Sequence, residues 1–211
     1  MSAEAGTTPA LTRKQAAWLT CRAKRCCYTA MVVPTGRDVW RIARALDAPP
    51  WSFLVYFRSP RPSRDAFQLD QSGPSYRLLL AKQASRHTKS PKPCIFLLRG
   101  RDGAHRCGLG DLRPRVCQTF PADLVAGVVC ILPETGCTCR VWNLSDLEIA
   151  EERALLEARQ REAEEYCAVV AAWNQRVAAA PAGAGVDFLD YCRYLLDAYD
   201  RLAGGGSAEA P

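Results

Sequence analysis

Hydrophobic positions recur with helical spacing at two places near the N-terminus. Thr12 and Gln15 match a capping box, in which two residues cap each other's backbone amides, so a helix is expected over residues 13–21. A second helix is expected to begin near Thr35 and to end at the segment "DAPP". Its apolar face follows the i, i+3, i+4, i+7 pattern through Val39, Ile42, Ala43 and Leu46.

The last third of the chain predicts two longer amphipathic helices. Ser145 and Glu148 match another capping box and predict a helix that runs to about Ala178. Its apolar stripe consists of Ala163, Tyr166, Val170, Trp173 and Val177. After the turn "APAGAG", a shorter helix carries the apolar residues Phe188, Cys192, Leu195, Tyr199 and Leu202. Because the connecting loop is short, the two helices are expected to form an antiparallel hairpin.

The middle of the chain alternates short apolar runs with polar loops. The runs "AFQLD" and "SYRLLLAK" are separated by "QSGP" and predict a β-hairpin. "CIFLL" predicts a short strand that ends at the turn "RGRDG". "WSFLVYF" is too short for its period to decide between helix and strand. Residues 106–132 are expected to be mostly irregular, with one helical turn around Arg115.

These patterns divide the chain into four parts. Small and polar residues predict disordered tails at 1–11 and 204–211. A cysteine-rich domain is expected over 12–142, and the helical hairpin over 143–203 is expected to pack on it. The fold class that follows is α+β, with a small loop-rich core, short helices and a β-hairpin.

The composition limits the class of protein. A hydrophobic content of 48% supports a core. No stretch approaches the roughly 18 to 20 apolar residues that span a bilayer. The start of the chain lacks the basic and apolar regions of a signal peptide. A cytoplasmic, reducing location without membrane contact is therefore expected.

The net charge of +6 conceals an opposition between two halves. Residues 1–116 carry 21 Lys and Arg against 7 Asp and Glu, whereas residues 117–211 carry 7 against 15. The arginines of the basic half are suited to offset the charge of metal-bound thiolates. A nucleic-acid surface is the rival interpretation, but no RNP-like motif or dense Lys/Arg run supports it. The acidic helical hairpin is the expected surface for a protein partner.

Eleven cysteines are unusual in a reducing compartment, where thiols more often serve metal binding or redox chemistry than disulfides. Cys167 and Cys192 lie on the apolar faces of the two C-terminal helices, and Cys130 lies in "AGVVCIL", which predicts a buried strand. All three are expected to pack as small hydrophobes. The other eight lie in loops or at the ends of short elements, where thiolates can converge: Cys21, Cys26, Cys27, Cys94, Cys107, Cys117, Cys137 and Cys139. Their spacing favours a metal over redox or packing roles but names no metal, since zinc and iron–sulfur centres each take four ligands.

The stretch "KPCIFLLRGRDGAHRCGLGDLRPRVCQTFP" resembles the cysteine-cluster proteins of the YkgJ type, a family of zinc- or iron-chelating domains. The first part of the family's pattern ends in Cys-Cys and is followed by a helix with a motif similar to "D-V-x-R-I-A". Here Cys26-Cys27 and "RDVWRIARAL" resemble these two features. The second part corresponds to Cys94, Phe96-Leu97, Cys107, Arg113-Pro114, Cys117 and Phe120-Pro121. The resemblance covers about residues 18–122, with a looser extension to Cys139.

The resemblance implies a metal-stapled core that holds zinc, iron, or a 2Fe–2S or 4Fe–4S cluster. The implied ligands are Cys21, Cys26, Cys27, Cys94, Cys107 and Cys117, with Cys137 and Cys139 as weaker candidates. The family commonly opens with C-x2-C-x2-C-C, whereas this chain has C-x4-C-C, so Cys21 is expected as a replacement ligand. The resemblance defines no reaction. The flagellin lysine-N-methylases resemble this family in their cysteine pattern, which makes an iron–sulfur enzyme the alternative to a metal-binding module.

Overall fold

The computed structural model describes residues 11–21, 24–84, 92–132, 137, 140–181 and 185–205. The fold is α+β, as predicted, with 49% of the residues in helices and 17% in strands. The helices are α1 (Arg13–Thr20), α2 (Arg25–Thr29), α3 (Gly36–Leu46), α4 (Arg115–Thr119), α5 (Ile149–Ala179) and α6 (Phe188–Gly205). The strands are β1 (Leu54–Arg58), β2 (Phe67–Gln68), β3 (Ser75–Leu80), β4 (Leu97–Arg99), β5 (His105–Cys107), β6 (Ala122–Val125) and β7 (Val128–Ile131).

The capping box predicted at Thr12 and Gln15 is confirmed, and the second helix begins next to Thr35 as expected, with a capping box of its own. At the start of α1, the Gln15 amide donates to Thr12 Oγ1 at 3.1 Å, and the Thr12 amide donates to Gln15 Oε1 at 2.9 Å. At the start of α3, the Asp38 amide donates to Thr35 Oγ1 at 3.1 Å, and the Thr35 amide donates to Asp38 Oδ2 at 3.0 Å. Both boxes close because the partners are three residues apart, the spacing at which each side chain reaches the other residue's backbone amide.

The box predicted at Ser145 and Glu148 is wrong. Asn143 and Asp146 form a capping box two residues earlier, and it closes a short 3-10 turn over residues 144–146. The Asn143 amide donates to the Asp146 carboxylate at 2.9 Å. Helix α5 therefore begins only at Ile149, and Glu148 precedes it without a side-chain cap.

A three-stranded antiparallel sheet with the order β1-β3-β2 contains the predicted hairpin. Strands β2 and β3 pair with Phe67 opposite Tyr76, which confirms the hairpin. The run "WSFLVYF" supplies β1, which lies on the other side of β3 with Leu54 opposite Leu80. Leu54, Phe67, Leu78 and Leu80 are buried, so this sheet turns its apolar side chains into the core.

Two further hairpins follow in the chain. The run "CIFLL" contributes β4, which pairs antiparallel with β5 so that Leu97 lies opposite Cys107. Residues 106–132 contain the predicted helical turn as α4, but they are more regular than expected because β6 and β7 pair as a hairpin. That hairpin packs Ala122 and Val129 against Leu147 and Leu156 in a small second cluster.

Helix α3, the three-stranded sheet, α5 and α6 share one hydrophobic core. Phe67 stacks on Tyr191 of α6 with ring centroids 3.9 Å apart, and Trp173 of α5 meets Tyr191 edge-on at 5.3 Å. Trp173 also contacts Tyr194 at 5.2 Å, and the buried Tyr166 lies 2.9 Å from Tyr191 between the hydroxyl oxygens. The two C-terminal helices therefore supply a large part of the core that the first half of the chain uses.

The predicted apolar stripes of the two C-terminal helices are buried over most of their length. The buried members are Tyr166, Val170, Trp173, Val177, Cys192, Leu195 and Tyr199. Leu202 differs, with 46% of its surface exposed near the end of α6.

Helix α6 continues through Gly205, so residues 204 and 205 of the predicted C-terminal tail are helical. Residues 1–10 and 206–211 of the predicted tails lie outside the described residues. No helix within the described ranges is long and apolar enough to cross a membrane.

The basic and acidic halves of the chain pair their charges with each other. Along α3, Arg37 binds Glu165 of α5 at 2.6 Å, and Arg41 lies 3.7 Å from Glu162. Arg44 binds Asp200 of α6 with Nε 3.1 Å from Oδ1. On α1, the buried Lys14 binds the buried Glu152 of α5 at 2.6 Å. The charge opposition seen in the sequence is therefore used within the molecule.

Gly36 allows α3 to approach α5 and α6 closely. A Cβ atom at this position would lie 2.4 Å from Tyr199 Cε2 and 2.8 Å from Tyr166 Cδ2, and both rings are buried. We expect Gly36→Ala to lower the free energy of unfolding by about 1–3 kcal/mol, because the core must shift to accept the methyl group. Urea unfolding followed by circular dichroism measures this change.

Gly204→Ala is the matched control, since its Cβ would meet no atom within 4 Å. It is expected to leave stability unchanged or to raise it by up to about 1 kcal/mol through helix propensity. Equal losses in the two variants would contradict a tight contact at Gly36.

Candidate metal centre

Backbone hydrogen bonds bring the predicted cysteine segments together. The Cys94 amide donates to the Cys27 carbonyl at 2.7 Å, which joins α2 to the segment before β4. The Leu97 amide donates to the Cys94 carbonyl at 2.9 Å, and Leu97 pairs with Cys107 across the β4–β5 hairpin. Three of the predicted ligand positions are therefore placed next to one another by main-chain contacts alone.

Helix α2 presents the adjacent pair Cys26 and Cys27. It begins behind Lys24, whose backbone has the left-handed conformation with φ 42°. The Lys24 side chain is buried and its ammonium donates to the Trp18 carbonyl near the end of α1. This hydrogen bond connects the start of α2 to α1.

Asp38 positions the helix that carries Cys117. Its carboxylate is fully buried, and Oδ1 accepts from the Arg115 amide at 3.1 Å and from Arg41 Nη2 at 2.6 Å. Arg115 is the first residue of α4, so this contact ties the start of α4 to α3. The sequence explains Asp38 as a helix cap; the structure adds this second role, which joins the core to the cysteine site.

The five thiols of Cys26, Cys27, Cys94, Cys107 and Cys117 lie within one another's electrostatic range. Burial raises the pKa of Cys117, and negative charge at Cys107, Cys94, Cys26 and Asp38 raises it further. Burial likewise raises the pKa of Cys94, with added contributions from Cys107 and Cys26. Together with the backbone contacts of Cys27, Cys94 and Cys107, these mutual influences place thiols from four separate chain segments in one neighbourhood.

Cys26 and Cys27 behave as a coupled pair. A hydrogen bond from the Cys27 thiol stabilises the Cys26 thiolate and, with help from the nearby Lys24 charge, lowers the pKa of Cys26 to about 6. The same hydrogen bond, together with burial, raises the pKa of Cys27 well above its ordinary value. The shared hydrogen bond therefore favours ionisation of Cys26 and disfavours ionisation of Cys27.

The other predicted candidates occupy different places. Cys21 follows α1, where its amide donates to the Ala17 carbonyl at 3.0 Å. Neither Cys21 nor Cys137 is among the main influences on the pKa of Cys27, Cys94 and Cys117. Cys139 lies outside the described residues. The expectation that Cys21 completes the ligand set stays a prediction.

The three cysteines that were expected to pack lie apart from this neighbourhood, on elements of the two hydrophobic clusters. Cys192 is fully buried in α6, which confirms the prediction for it. Cys167 of α5 and Cys130 of β7 are only partly buried. The Cys130 thiol donates to the Asp123 carbonyl at 3.5 Å.

The donor chemistry of the five thiols fits a thiophilic metal, but the side chains do not form a closed coordination sphere. Among the described residues, no three His, Cys, Asp or Glu side chains stand close enough together to hold a metal ion. No disulfide joins any two of the described cysteines. The site therefore consists of converging, reduced thiols.

Comparison with known protein families, curated proteins and solved structures finds no match to this chain. The resemblance described from the cysteine pattern thus stands on those residues alone. The site is interpreted from its own geometry and chemistry.

We expect Asp38→Ala to lower the free energy of unfolding by about 1–3 kcal/mol, because the partly buried Arg41 loses its closest carboxylate and the Arg115 amide loses its acceptor. It should also speed the alkylation of Cys117, since the start of α4 loses its contact with α3. Urea unfolding and mass spectrometry of alkylated peptides measure both effects. Asp200→Ala is the control, because its bonds to Arg44 and Trp40 are at the surface, and it should cost less than about 1 kcal/mol. Similar results for the two variants would contradict the positioning role of Asp38.

The reaction of Cys26 with iodoacetamide should depend on pH in a way that reveals its partner. In metal-free protein, the alkylation rate of Cys26 is expected to rise with pH and to reach half its maximum near pH 6, because the thiolate is the reactive form. Cys27→Ala removes the hydrogen-bond donor and should move this midpoint up, toward about 8.5 for an ordinary thiol. Cys27→Ser keeps a donor and should retain most of the lowered midpoint. An unchanged midpoint in Cys27→Ala would show that Cys27 does not stabilise the thiolate.

Proposed function

We propose that this protein binds a thiophilic metal, as zinc, iron or an iron–sulfur cluster, through Cys26, Cys27, Cys94, Cys107 and Cys117. The observation that carries the proposal is the convergence of thiols from four chain segments in one partly buried neighbourhood. These thiols are reduced and form no disulfide with one another. Thiolates are the preferred ligands of zinc, Cu(I) and iron–sulfur clusters.

The electrostatics of the neighbourhood favour a bound cation. Cys94 and Cys117 are harder to ionise because burial removes water and because other thiols are near. A metal ion reverses this situation, since its positive charge compensates several thiolates at once and deprotonates coordinating thiols. The buried Lys24 and the half-buried Lys82 add positive charge at the edge of the site.

Coordination requires that the thiols move closer than they stand. Zinc–sulfur bonds are about 2.3 Å long, and no three of the described donors are grouped at such a spacing. Cys94 lies in an isolated bridge and Cys107 ends β5, and each cysteine side chain has a single rotatable bond that sets the position of its sulfur. A metal site therefore calls for rearranged side chains on the existing backbone.

The role that follows is a metal staple for the part of the chain before α5. A structural zinc site contributes on the order of 10 kcal/mol to folding, which would join α2, β4, β5 and α4 firmly. Five thiols exceed the four that such a site takes. Because adjacent cysteines point in different directions, Cys26 and Cys27 either leave one spare thiol or serve two centres. A spare thiol supports the alternative, an iron–sulfur enzyme, in which Cys26 or Cys27 is available for chemistry.

Metal analysis of protein purified without oxygen tests the proposal. We expect a bound thiophilic metal in the wild-type protein and a marked loss in Cys117→Ser, because serine is a poor ligand for such metals. Cys167→Ser is the matched control, since Cys167 is a partly buried cysteine of α5 outside the site, and it should retain the metal.

The spectrum of the same samples identifies the centre. Visible absorbance that dithionite bleaches indicates an iron–sulfur cluster, whereas colourless protein with stoichiometric zinc indicates a staple. A folded, metal-free protein that takes up neither zinc nor iron on reconstitution would end the proposal.

A further inference from the structure

Lys82 reaches across to the end of α2 and binds two carbonyl groups of the helix and that of Ala30, which follows it. Its ammonium nitrogen lies 2.8 Å from the Ala30 carbonyl oxygen, 3.2 Å from that of Cys27 and 3.3 Å from that of Tyr28. A lysine ammonium has three donors, and all three find an acceptor here. The last carbonyls of a helix lack partners within the helix, so this single side chain completes the C-terminal end of α2.

The backbone of Lys82 is tied to the second cysteine segment. Lys82 forms an antiparallel bridge with Cys94, and the next residue, Gln83, donates its amide to the Pro93 carbonyl at 2.8 Å. The Gln83 side chain donates to the Leu97 carbonyl at 2.6 Å, at the start of β4. The same short stretch therefore contacts α2 through a side chain and the Cys94 segment through its backbone.

The Cys27 carbonyl is the point where these contacts meet. It accepts from Lys82 at 3.2 Å and from the Cys94 amide at 2.7 Å. Cys27 and Cys94 are far apart in sequence, and their segments cannot find this register through local structure. Lys82 supplies a charged donor to one segment while its backbone forms a bridge with the other, so it links the two.

We propose that Lys82 is a positioning residue that holds the Cys26–Cys27 segment against Cys94 before any metal is bound. Hydrogen bonds from a charged donor contribute more than neutral ones, so the loss of three should loosen this junction strongly. The consequence for metal affinity rests on the proposed function, whereas the junction itself exists without a metal.

Amide hydrogen exchange in the metal-free protein tests the junction directly. Lys82→Met keeps the aliphatic stem but removes the donors, and we expect the Cys94 amide to exchange at least about tenfold faster. Lys92→Met is the matched control, because Lys92 is an exposed lysine two residues from Cys94 and its loss removes the same charge from the same region. The control should leave exchange at Cys94 unchanged.

Zinc affinity of the same variants, measured by competition with a chromophoric chelator, tests the link to function. Lys82→Met should weaken zinc binding by about 10- to 100-fold at unchanged stoichiometry, the range typical of groups that orient metal ligands. Lys82→Arg keeps the charge and should restore part of the affinity. Lys92→Met should bind zinc like the wild type.

The outcomes separate this inference from the proposed function. Faster exchange in Lys82→Met, in a protein whose wild type binds no metal, would sustain the positioning role and reject the metal site. Wild-type exchange in Lys82→Met, or equal effects of Lys82→Met and Lys92→Met, would overturn the positioning role. If Lys82→Met does not fold, Lys82→Gln decides by the same exchange measurement, because a glutamine side chain is polar but has no charge and only two N–H donors. Exchange at the wild-type rate in that variant would also overturn the inference.

Discussion

The structure depends on the way α3 is held between α5 and α6 by charges from opposite halves of the chain. Val39 and Ile42 bury the apolar face of α3, but apolar packing is not directional and tolerates sliding. Arg37 and Arg41 each meet a carboxylate of α5, and these pairs specify the register along the helix. Partly exposed ion pairs add little stability, so their contribution here is specificity of packing.

The cysteine site is built on this arrangement. Asp38 of α3 binds Arg41 on one side and the first amide of α4 on the other, so the position of Cys117 follows from the position of α3. Arg115 of α4 in turn binds Glu162 of α5 at 3.0 Å. Core and site thus share one polar network, and a disturbance of α3 would reach the thiols without touching a cysteine.

The parts of this fold that sequence predicts are those with local causes. The capping box of Thr35 and Asp38 forms from residues three apart, and the long apolar stripe of α5 exceeds any competing pattern. The β6–β7 hairpin was missed because Val125 and Val128 are exposed and its short strands show no clear alternation. The cysteines of the site can be recognised in the sequence by residue type. The hydrogen bond from the Arg115 amide to Asp38 joins residues 77 positions apart, and no periodicity in the sequence predicts such a contact.

The separation of these partners also affects synthesis on the ribosome. Arg44 and Asp200 are 156 residues apart, which corresponds to roughly 10–30 s of translation at about 5–20 residues per second. During that interval the apolar face of α3 and the thiols of α2 have emerged, while the helices that cover α3 have not. The nascent chain would therefore expose an apolar surface that can aggregate and thiols that can be oxidised. A chaperone that binds this N-terminal half until translation ends would protect both its solubility and its cysteines.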